Sequence, residues 1–240
     1  MKFQERFYRN RIYNKLLKEF NITVRETDLF ILSDADFSDV ALTSVYKHRA
    51  YIESYIKYCP DFLTSLTPLK DDFFAPDIVR DMLKAANLAN VGPMAAVAGA
   101  IADYVGRDIL LLESKNVIVE NGGDIFIRTE EQVTVGVFAG DSPLSYKVRI
   151  KIRPEQMPVG ICTSSGTVGH SFSYGRADAV CILAKTAAIA DAAATAIGNI
   201  VKQKKDIRKA LNRGRKIKEV SGILIIVGDQ LGACGDIELV

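Results

Sequence analysis

The chain has 240 residues, enough to bury a sizeable core as one large domain or as two small ones. Because 48% of the residues are hydrophobic, 25% are charged and no low-complexity tract is present, disordered and fibrous classes are excluded. The net charge of +2 is the balance between one basic segment near the C-terminus and an acidic remainder.

The first quarter of the chain predicts a small strand unit followed by a long helix. Alternating side chains at residues 3–8, 21–25 and 29–31 are typical of a short antiparallel meander. Apolar residues at helical spacing predict a helix over residues 39–58, which Pro60 closes.

The middle of the chain predicts two helices and then a run of strands. One helix is expected over residues 76–88, and Gly92-Pro93 begins a second, since proline suits the first helical turn. The second helix is nearly all small residues, which lets it pack closely against a sheet or another helix. Strands are predicted at residues 117–119, 125–128, 133–138 and 146–152, with a strong turn signal, NGGD, between the first two.

Residues 159–199 form the stretch around which the rest of the chain is organised. A short apolar run leads into CTSSG at residues 162–166, whose small polar residues and glycine suit a loop that lets backbone approach a ligand. A strand-like run at residues 179–184 and an alanine-rich helix starting near Thr186 follow. Beyond them we expect a strand at 223–227, a turn over 228–235 and a last strand at 237–240.

Asp191 and Thr195 stand four residues apart in the alanine-rich helix, so their side chains project from one face. A carboxylate and a hydroxyl so placed are candidate ligands for a hard cation such as Mg²⁺. They could instead simply cap or decorate the helix. A mid-helix carboxylate is costly to bury without a partner, and it lies too far from the helix start to act on that helix's own dipole. Metal or ligand contact is therefore the favoured interpretation.

Two segments supply candidate cofactor-binding groups. Adjacent glycines bounded by polar side chains permit close approach of a phosphate or a flavin ring, although a plain hairpin turn needs the same residues. Hydroxyls and amides of the second segment suit an anion, in a sequence that is not a Walker loop. The candidate cofactor-binding residues are Asn121, Gly122, Gly123, Asp124, Thr163, Ser164, Ser165 and Gly166.

His170 and Cys162 are the candidate catalytic residues. His170 lies among glycine and serine, unlike a packed core histidine, and could serve as a general base or as a ligand anchor. Cys162 follows a predicted strand, where loop amides could lower the pKa of its thiol. The alternative for Cys162 is a small buried hydrophobic residue at a strand end.

The cysteines and the charge pattern indicate which compartment and which partners we expect for this protein. Four cysteines lie far apart with no C-x-x-C pair, so neither a zinc site nor a disulfide framework is signalled. Residues 202–219 hold nine Lys or Arg against two acids, but no aromatics are interleaved and apolar residues recur at helical spacing. We therefore expect a solvated helix face rather than a nucleic-acid partner. With no signal-peptide pattern and no run of transmembrane length, we expect a cytoplasmic protein without a membrane partner.

An internal repeat suggests a duplicated unit. Residues 95–106 (AAVAGAIADYVG) align without gaps to residues 187–198 (AAIADAAATAIG), and both copies are followed by a strand leading to Gly-Asp-Ile. Asp191 then falls opposite Gly99, and Thr195 opposite Asp103. We predict one α+β domain over residues 1–240, with approximate halves 1–140 and 141–240 and with alanine-rich helices packed against antiparallel sheet.

Four motifs carry a resemblance to a known family. GPMAAVAGAIAD (92–103), VENGGDIF (119–126), GICTSSGTVGHSFSYGRADAV (160–180) and ADAAATAIGN (190–199) are similar to the signatures of a prokaryotic family of ApbE-like proteins. That family is a distant relative of the superfamily of ApbE, the thiamine-biosynthesis lipoprotein or FAD:protein FMN transferase. The resemblance implies the fold, an α+β duplication with antiparallel sheet layers.

The resemblance also implies a site. In the transferases an Asp and a Thr bind Mg²⁺ beside the flavin pyrophosphate, which would carry over to Asp191 and Thr195. Two transferase motifs are absent: a His-x-x-Asp-Pro motif after the Thr-Ser-Gly loop, where this chain reads ADAVCILAK, and an N-terminal Met-Gly-Thr motif. The resemblance therefore implies a fold and a binding site more strongly than a reaction.

Three hypotheses remain open at this point. The first is a Mg²⁺-dependent enzyme or binder of FAD, another flavin or a nucleotide, of the transferase type. The second is a thiol-based sulfur handler that uses Cys162, since the ApbE-like family tends to be associated with reduced-sulfur assimilation. The third is a non-catalytic scaffold. We expect a small-molecule ligand and, because sheet edges need covering, a homodimer.

Overall fold

The structure is a computed structural model and describes residues 17–166 and 175–240. Its strands alternate buried and exposed side chains or are buried on both faces, as their sequences predict. The strands are β1 (Lys18–Val24), β2 (Thr27–Ser33), β3 (Val117–Asn121), β4 (Asp124–Arg128), β5 (Val133–Gly136), β6 (Arg149–Ile152), β7 (Val159–Ser164), β8 (Ala179–Ala184), β9 (Val220–Val227), β10 (Gln230–Gly235) and β11 (Glu238–Leu239).

The helices form the second element class. A 3-10 turn at Pro93–Ala96 leads directly into α4, so the proline does begin this helical stretch. The helices are α1 (Ser38–Tyr58), α2 (Asp61–Thr64), α3 (Asp77–Ala89), α4 (Val97–Leu110), α5 (Ala187–Gly198) and α6 (Ile207–Gly214).

Eight strands form one antiparallel sheet in the order β1-β2-β3-β4-β7-β8-β9-β10. A smaller antiparallel sheet has the order β11-β6-β5. The helices pack on one face of the large sheet, and the small sheet packs on the other. The α+β fold with antiparallel sheet layers is therefore confirmed.

Helix α5 packs on β7 and β8 of the large sheet and also contacts helices α3 and α4, while α4 packs beside it on β3 and β4. Its alanines keep it thin enough to fit there, and all but one are buried. A Cβ atom at Gly160 of β7 would lie 2.1 Å from the Ala187 nitrogen, and one at Gly99 of α4 would lie 2.2 Å from the Ala187 carbonyl oxygen. Both glycines are needed because backbone meets backbone on two sides of the first residue of α5.

Most predicted elements exist, but the turn predicted after β9 was wrong. The residues expected to form a turn after β9 contain β10, which pairs with β9 from Gln230 to Gly235; only Gly228 and Asp229 connect the two. Glycine, alanine and cysteine give β10 little strand propensity, so pairing with β9 decides its conformation. The strand predicted at residues 3–8 lies outside the described residues.

The basic segment forms α6 and its flanking turns. Ile207 and Ile217 are buried against the helical core and Leu211 packs beside them, while the lysines and arginines face outward. This agrees with the expected solvated helix face. The internal duplication, the homodimer and the absence of a nucleic-acid partner stay predictions.

In the described part of the chain, no helix taken singly has both the length and the apolar composition to cross a membrane. Asp77–Ala89 and Pro93–Leu110 reach them only as a pair, and that pair is bent by 104°.

Candidate functional site

The hairpin between β3 and β4 turns at Gly122 and Gly123, whose φ angles are +69° and +107°. Two positive φ values in a two-residue hairpin loop favour glycine at both positions. The carboxylate of Glu120 closes the turn by accepting a hydrogen bond of 2.7 Å from the Gly123 amide. Asn121 and Asp124 are paired across the ladder and both side chains are buried.

The end of β7 lies against this hairpin. Asp124 pairs with Cys162, and the Thr163 amide donates a 3.1 Å hydrogen bond to the Gly123 carbonyl oxygen. The segment predicted to be a loop at residues 162–166 is therefore strand up to Ser164, which is a correction. Its polar residues suit the end of a strand that borders a site rather than a free loop.

Asp191 reaches the same place from α5. Its carboxylate accepts a 3.1 Å hydrogen bond from the amide of Gly99, in the first turn of α4. Asp191 lies too far along α5 to act on the dipole of that helix, but it faces the positive end of the neighbouring helix α4. Asp191 thus has a structural partner and is also half-buried rather than enclosed.

Asp103 of α4 bonds to the start of α5, just as Asp191 of α5 bonds to the start of α4. Its two carboxylate oxygens accept hydrogen bonds of 2.9 Å and 3.0 Å from the amides of Ala187 and Ala188, at the start of α5. Asp103 is 2% exposed. Each of the two helices therefore supplies the carboxylate that caps the other.

Asp124, Cys162 and Asp191 form a cluster in which one ligand atom from each residue lies within 4.8 Å of the others. Asp124 is 7% exposed and Cys162 is 3% exposed. Among the described residues, Oδ1 of Asp124 has no hydrogen-bond partner. A buried carboxylate oxygen without a partner is costly, so this position suits a cation or another group that contacts the oxygen directly.

Burial raises the pKa of both carboxylates of this cluster in the free protein. Burial, and next to it the charges of Glu120 and Asp103, raise the pKa of Asp124 to about 7, while a hydrogen bond from the Cys162 thiol opposes the shift. Burial and the charge of Asp124 raise the pKa of Asp191 well above its usual range. Acids arranged in this way gain from a positive charge placed between them.

The same surroundings act on the thiol. Burial, followed by the charges of Asp124 and Asp191, raises the pKa of Cys162 well above its ordinary value. The expectation that loop amides lower this pKa finds no support in the free protein, where the thiol stays protonated. The neighbouring strand residue Thr163 points to the opposite face and hydrogen-bonds the buried thiol of Cys181.

The remaining predicted cofactor-binding residues lie at the β3–β4 turn and at the end of β7, next to cluster residues in the chain. Thr163, Ser164 and Ser165 are half-buried, and Gly122 is exposed. The amide of Gly166 is already bonded to the Ala177 carbonyl oxygen, so it is a structural group here.

Other predicted residues have structural contacts or lie outside the described part. The Asn121 amide nitrogen donates a 3.0 Å hydrogen bond to the Ala98 carbonyl oxygen, which ties the hairpin to the start of α4. Thr195 lies one turn after Asp191 on α5 and is half-buried. His170 lies outside the described residues.

Two acids of the site were missed from sequence. Asp103 and Glu120 are buried and raise the pKa of Asp124. Both lie in motifs that carry the family resemblance, but no pattern in those motifs indicates a buried acid at either position. Asp103 bonds to residues more than eighty positions away, which no local pattern reveals. The signal that could have found it is the alignment of the two helices, which places Asp103 opposite Thr195.

The fold is similar to that of two solved structures. The flavin transferase ApbE from Vibrio cholerae matches with a TM-score of 0.55 and 11% identity, over 91% of this chain and 97% of that chain. The ApbE protein from Thermotoga maritima matches with a TM-score of 0.56 and 14% identity, over 90% and 96% of the two chains. At these identities the likeness shows the fold alone.

Sequence comparison gives the family. A family model described as "AbpE bacteria" matches residues 9–238. A UPF0280 protein from Methanococcus aeolicus is 44% identical over 221 residues, which cover 90% of this chain and 89% of that protein. With both matches spanning nearly the whole sequence, the chain belongs to the UPF0280 family of ApbE-like proteins.

Proposed function

We propose that this protein binds a flavin nucleotide, or another nucleotide, together with a divalent cation at the cluster where the β3–β4 hairpin, the end of β7 and α5 meet, and acts as an ApbE-type transferase. The observation that carries the proposal is the cluster of Asp124, Cys162 and Asp191, in which Asp124 has a buried carboxylate oxygen without a hydrogen-bond partner among the residues that the structure describes. Support for the flavin comes from the fold, which resembles that of proteins named as flavin transferases.

A cation is needed on electrostatic grounds. The phosphates of a nucleotide are anionic, and Asp124 and Asp191 would repel them at this site. A divalent cation between the two carboxylates and the phosphates removes that repulsion and gives Asp124 Oδ1 a partner. Two carboxylates close together fit such an ion, whereas the Cys162 thiol is a donor that Mg²⁺ does not favour.

The backbone of the Gly122-Gly123 turn, beside this cluster, is accessible to a nucleotide. Gly122 is exposed, and its lack of a side chain lets a flat ring or a phosphate reach the backbone of the turn. The half-buried hydroxyls of Ser164 and Ser165 lie in the adjoining segment and can contact an anion from the second side. Together these residues bind and orient the ligand.

The chemistry of transfer requires charge neutralisation at phosphate. When bound, a divalent cation would stabilise the negative charge that develops on a pyrophosphate as its bond breaks. The chain's own contribution is to hold Asp191 in place through the Gly99 amide and Asp124 through the hairpin register. The thiol hypothesis has less support, because Cys162 is buried and its pKa is raised.

The test is ligand binding by the purified full chain. We expect FAD to raise the melting temperature of the protein only when a divalent cation from a panel of Mg²⁺, Mn²⁺ and Zn²⁺ is present. Under the same condition, the fluorescence of the bound flavin should be quenched. Asp124→Asn and Asp191→Asn should both abolish this response. Asp103→Asn is the matched control, since it changes a buried carboxylate of the same helix pair that lies outside the cluster.

Two outcomes would contradict the proposal. One is the lack of any response to flavins and nucleotides with every cation of the panel. The other is a response that survives in both cluster variants, which would place the ligand elsewhere.

A further inference from the structure

The cluster pairs two hard oxygen donors with a sulfur donor, and this combination bears on which cation it takes. Resting on the proposed function, we propose that the cation held by Asp124, Cys162 and Asp191 is a thiophilic divalent ion of the Zn²⁺ class, bound through the Cys162 sulfur, rather than Mg²⁺. Mg²⁺ demands about six oxygen ligands in an octahedron. Zn²⁺ and its neighbours accept thiolate, carboxylate and imidazole ligands in tetrahedral sites.

The distances suit a small tetrahedral site. Metal–oxygen and metal–sulfur bonds of about 2.0–2.3 Å place tetrahedral ligand atoms roughly 3.5 Å apart. The three ligand atoms already lie within 4.8 Å of one another, so side-chain rotation closes the remaining gap without moving the strands. Three protein ligands leave one position open, as in catalytic zinc sites, and the half-buried Asp191 marks the side on which that position faces solvent.

A second observation is independent of the acidity of the cluster. Asp124 is more than nine-tenths buried, and within the described ranges its Oδ1 has no donor, although nearly all buried polar groups in folded proteins have one. A purely structural carboxylate here would be expected to have two satisfied oxygens, as Asp103 has. The orphaned oxygen lies on the residue that pairs with Cys162 across the sheet, so it and the sulfur line the same space.

The other cysteine of this sheet region shows the contrast. Cys181 lies opposite Thr163 on the adjacent strand, but it belongs to the core between the two sheets and contacts a hydroxyl. Cys162 belongs to the helical side and faces two carboxylates. Both thiols are buried, so burial alone does not account for the placement of a sulfur atom among acids.

The experiment is a titration of the chelator-stripped full chain with Co²⁺, which reports sulfur ligation as a near-ultraviolet charge-transfer band. We expect a band at one equivalent, displaced by one equivalent of Zn²⁺ and unaffected by a roughly thousandfold excess of Mg²⁺. Cys162→Ser should lose the band and weaken Zn²⁺ binding by at least about tenfold, since even loss of an outer-sphere partner costs that much. Cys181→Ser is the matched control and should keep both.

Circular dichroism shows whether Cys162→Ser keeps its fold. If it does not, X-ray absorption at the zinc edge of the unaltered chain decides whether sulfur is a ligand of the ion. One sulfur neighbour at about 2.3 Å supports the inference. A shell of oxygen and nitrogen alone overturns it, as does an unchanged Co²⁺ spectrum in a folded Cys162→Ser protein. If Mg²⁺ binds through Asp124 and Asp191 with equal affinity in the unaltered chain and in Cys162→Ser, the inference fails while the proposed function stands. If no cation binds even with FAD present, both fail.

Discussion

Helices α4 and α5 use the same device with different results. Asp103 caps α5 through two hydrogen bonds and is sealed from solvent, whereas Asp191 caps α4 through Gly99 and remains half-buried beside Asp124 and Cys162. The enclosed carboxylate has both oxygens occupied by backbone amides. Among the described residues, the open one has a neighbour, Asp124, whose Oδ1 lacks a hydrogen-bond partner. The difference teaches that two capping carboxylates of one helix pair can have opposite surroundings: one is saturated by amides, and the other is partly exposed beside an unsatisfied acceptor.

The largest expected effect comes from separating the two helices. Gly99→Ala should destabilise the protein by about 3 kcal/mol, because the new Cβ would meet the Ala187 carbonyl at 2.2 Å and backbone must move. Urea unfolding followed by circular dichroism measures the loss. Gly198→Ala is the control, since a Cβ there has open space; it should be neutral or stabilising by up to about 1 kcal/mol. Equal losses in the two variants would contradict the tight crossing.

The next largest effect should come from removing the enclosed carboxylate of Asp103, which caps α5. Asp103→Ala should cost about 2–3 kcal/mol of unfolding free energy, because the amides of Ala187 and Ala188 are left buried without acceptors. Asp103→Asn keeps an acceptor oxygen and removes a buried charge, so its cost should be much smaller. Urea denaturation of both variants measures the difference. If Ala and Asn were equally costly, the carboxylate would not act as a cap.

A smaller effect should appear as pH dependence. Burial raises the pKa of Asp103 to about 6 in the folded state, above the unfolded value of about 3.9. The folded protein therefore holds this proton more tightly, and the associated stability is complete below about pH 4 and is lost as pH rises to about 6. We expect the metal-free protein to lose about 1–2 kcal/mol more than Asp103→Asn across this window. Denaturation at several pH values checks it, and parallel curves would contradict the raised pKa.

The smallest expected change in stability comes from the open cap. Asp191→Asn should alter the unfolding free energy by less than about 1 kcal/mol, since an amide oxygen can still accept from Gly99 and repulsion with Asp124 is relieved. Its consequence should lie in binding: the rise in melting temperature caused by a divalent cation disappears. A variant that is strongly destabilised yet still stabilised by the cation would reverse the comparison with Asp103.

Local sequence patterns were sufficient for most elements because their periods are strong. The helical spacing in α1 and the alternation in β1 can be read directly, β2 is a short apolar run, and Gly122-Gly123 fixes the hairpin. Residues 230–235 carry no such pattern, and only pairing with β9 makes them a strand. Position in the sheet therefore overrode local preference at that point.

The segments that form the site could be predicted from the sequence, but most contacts between their side chains could not. Asp191, Cys162 and Asp124 were all singled out from sequence, and the structure brings them together. Asp191 and Thr195 were expected to act as a pair, because spacing along one helix is visible in sequence. The partners that Asp191 has in the structure come from β4, β7 and α4, and contacts between distant segments leave no local trace.

The pairing of β7 with its neighbours has a consequence for how this protein can change during evolution. Along β7 the side chains alternate, so Cys162 belongs to the helical side and Thr163 to the side of the small sheet. Sliding β7 by one position would place Thr163 or Ile161, and no sulfur, beside the two aspartates. If the cluster binds a cation as proposed, a one-residue insertion or deletion upstream would therefore change the ion preference of a descendant protein without a substitution at the site itself.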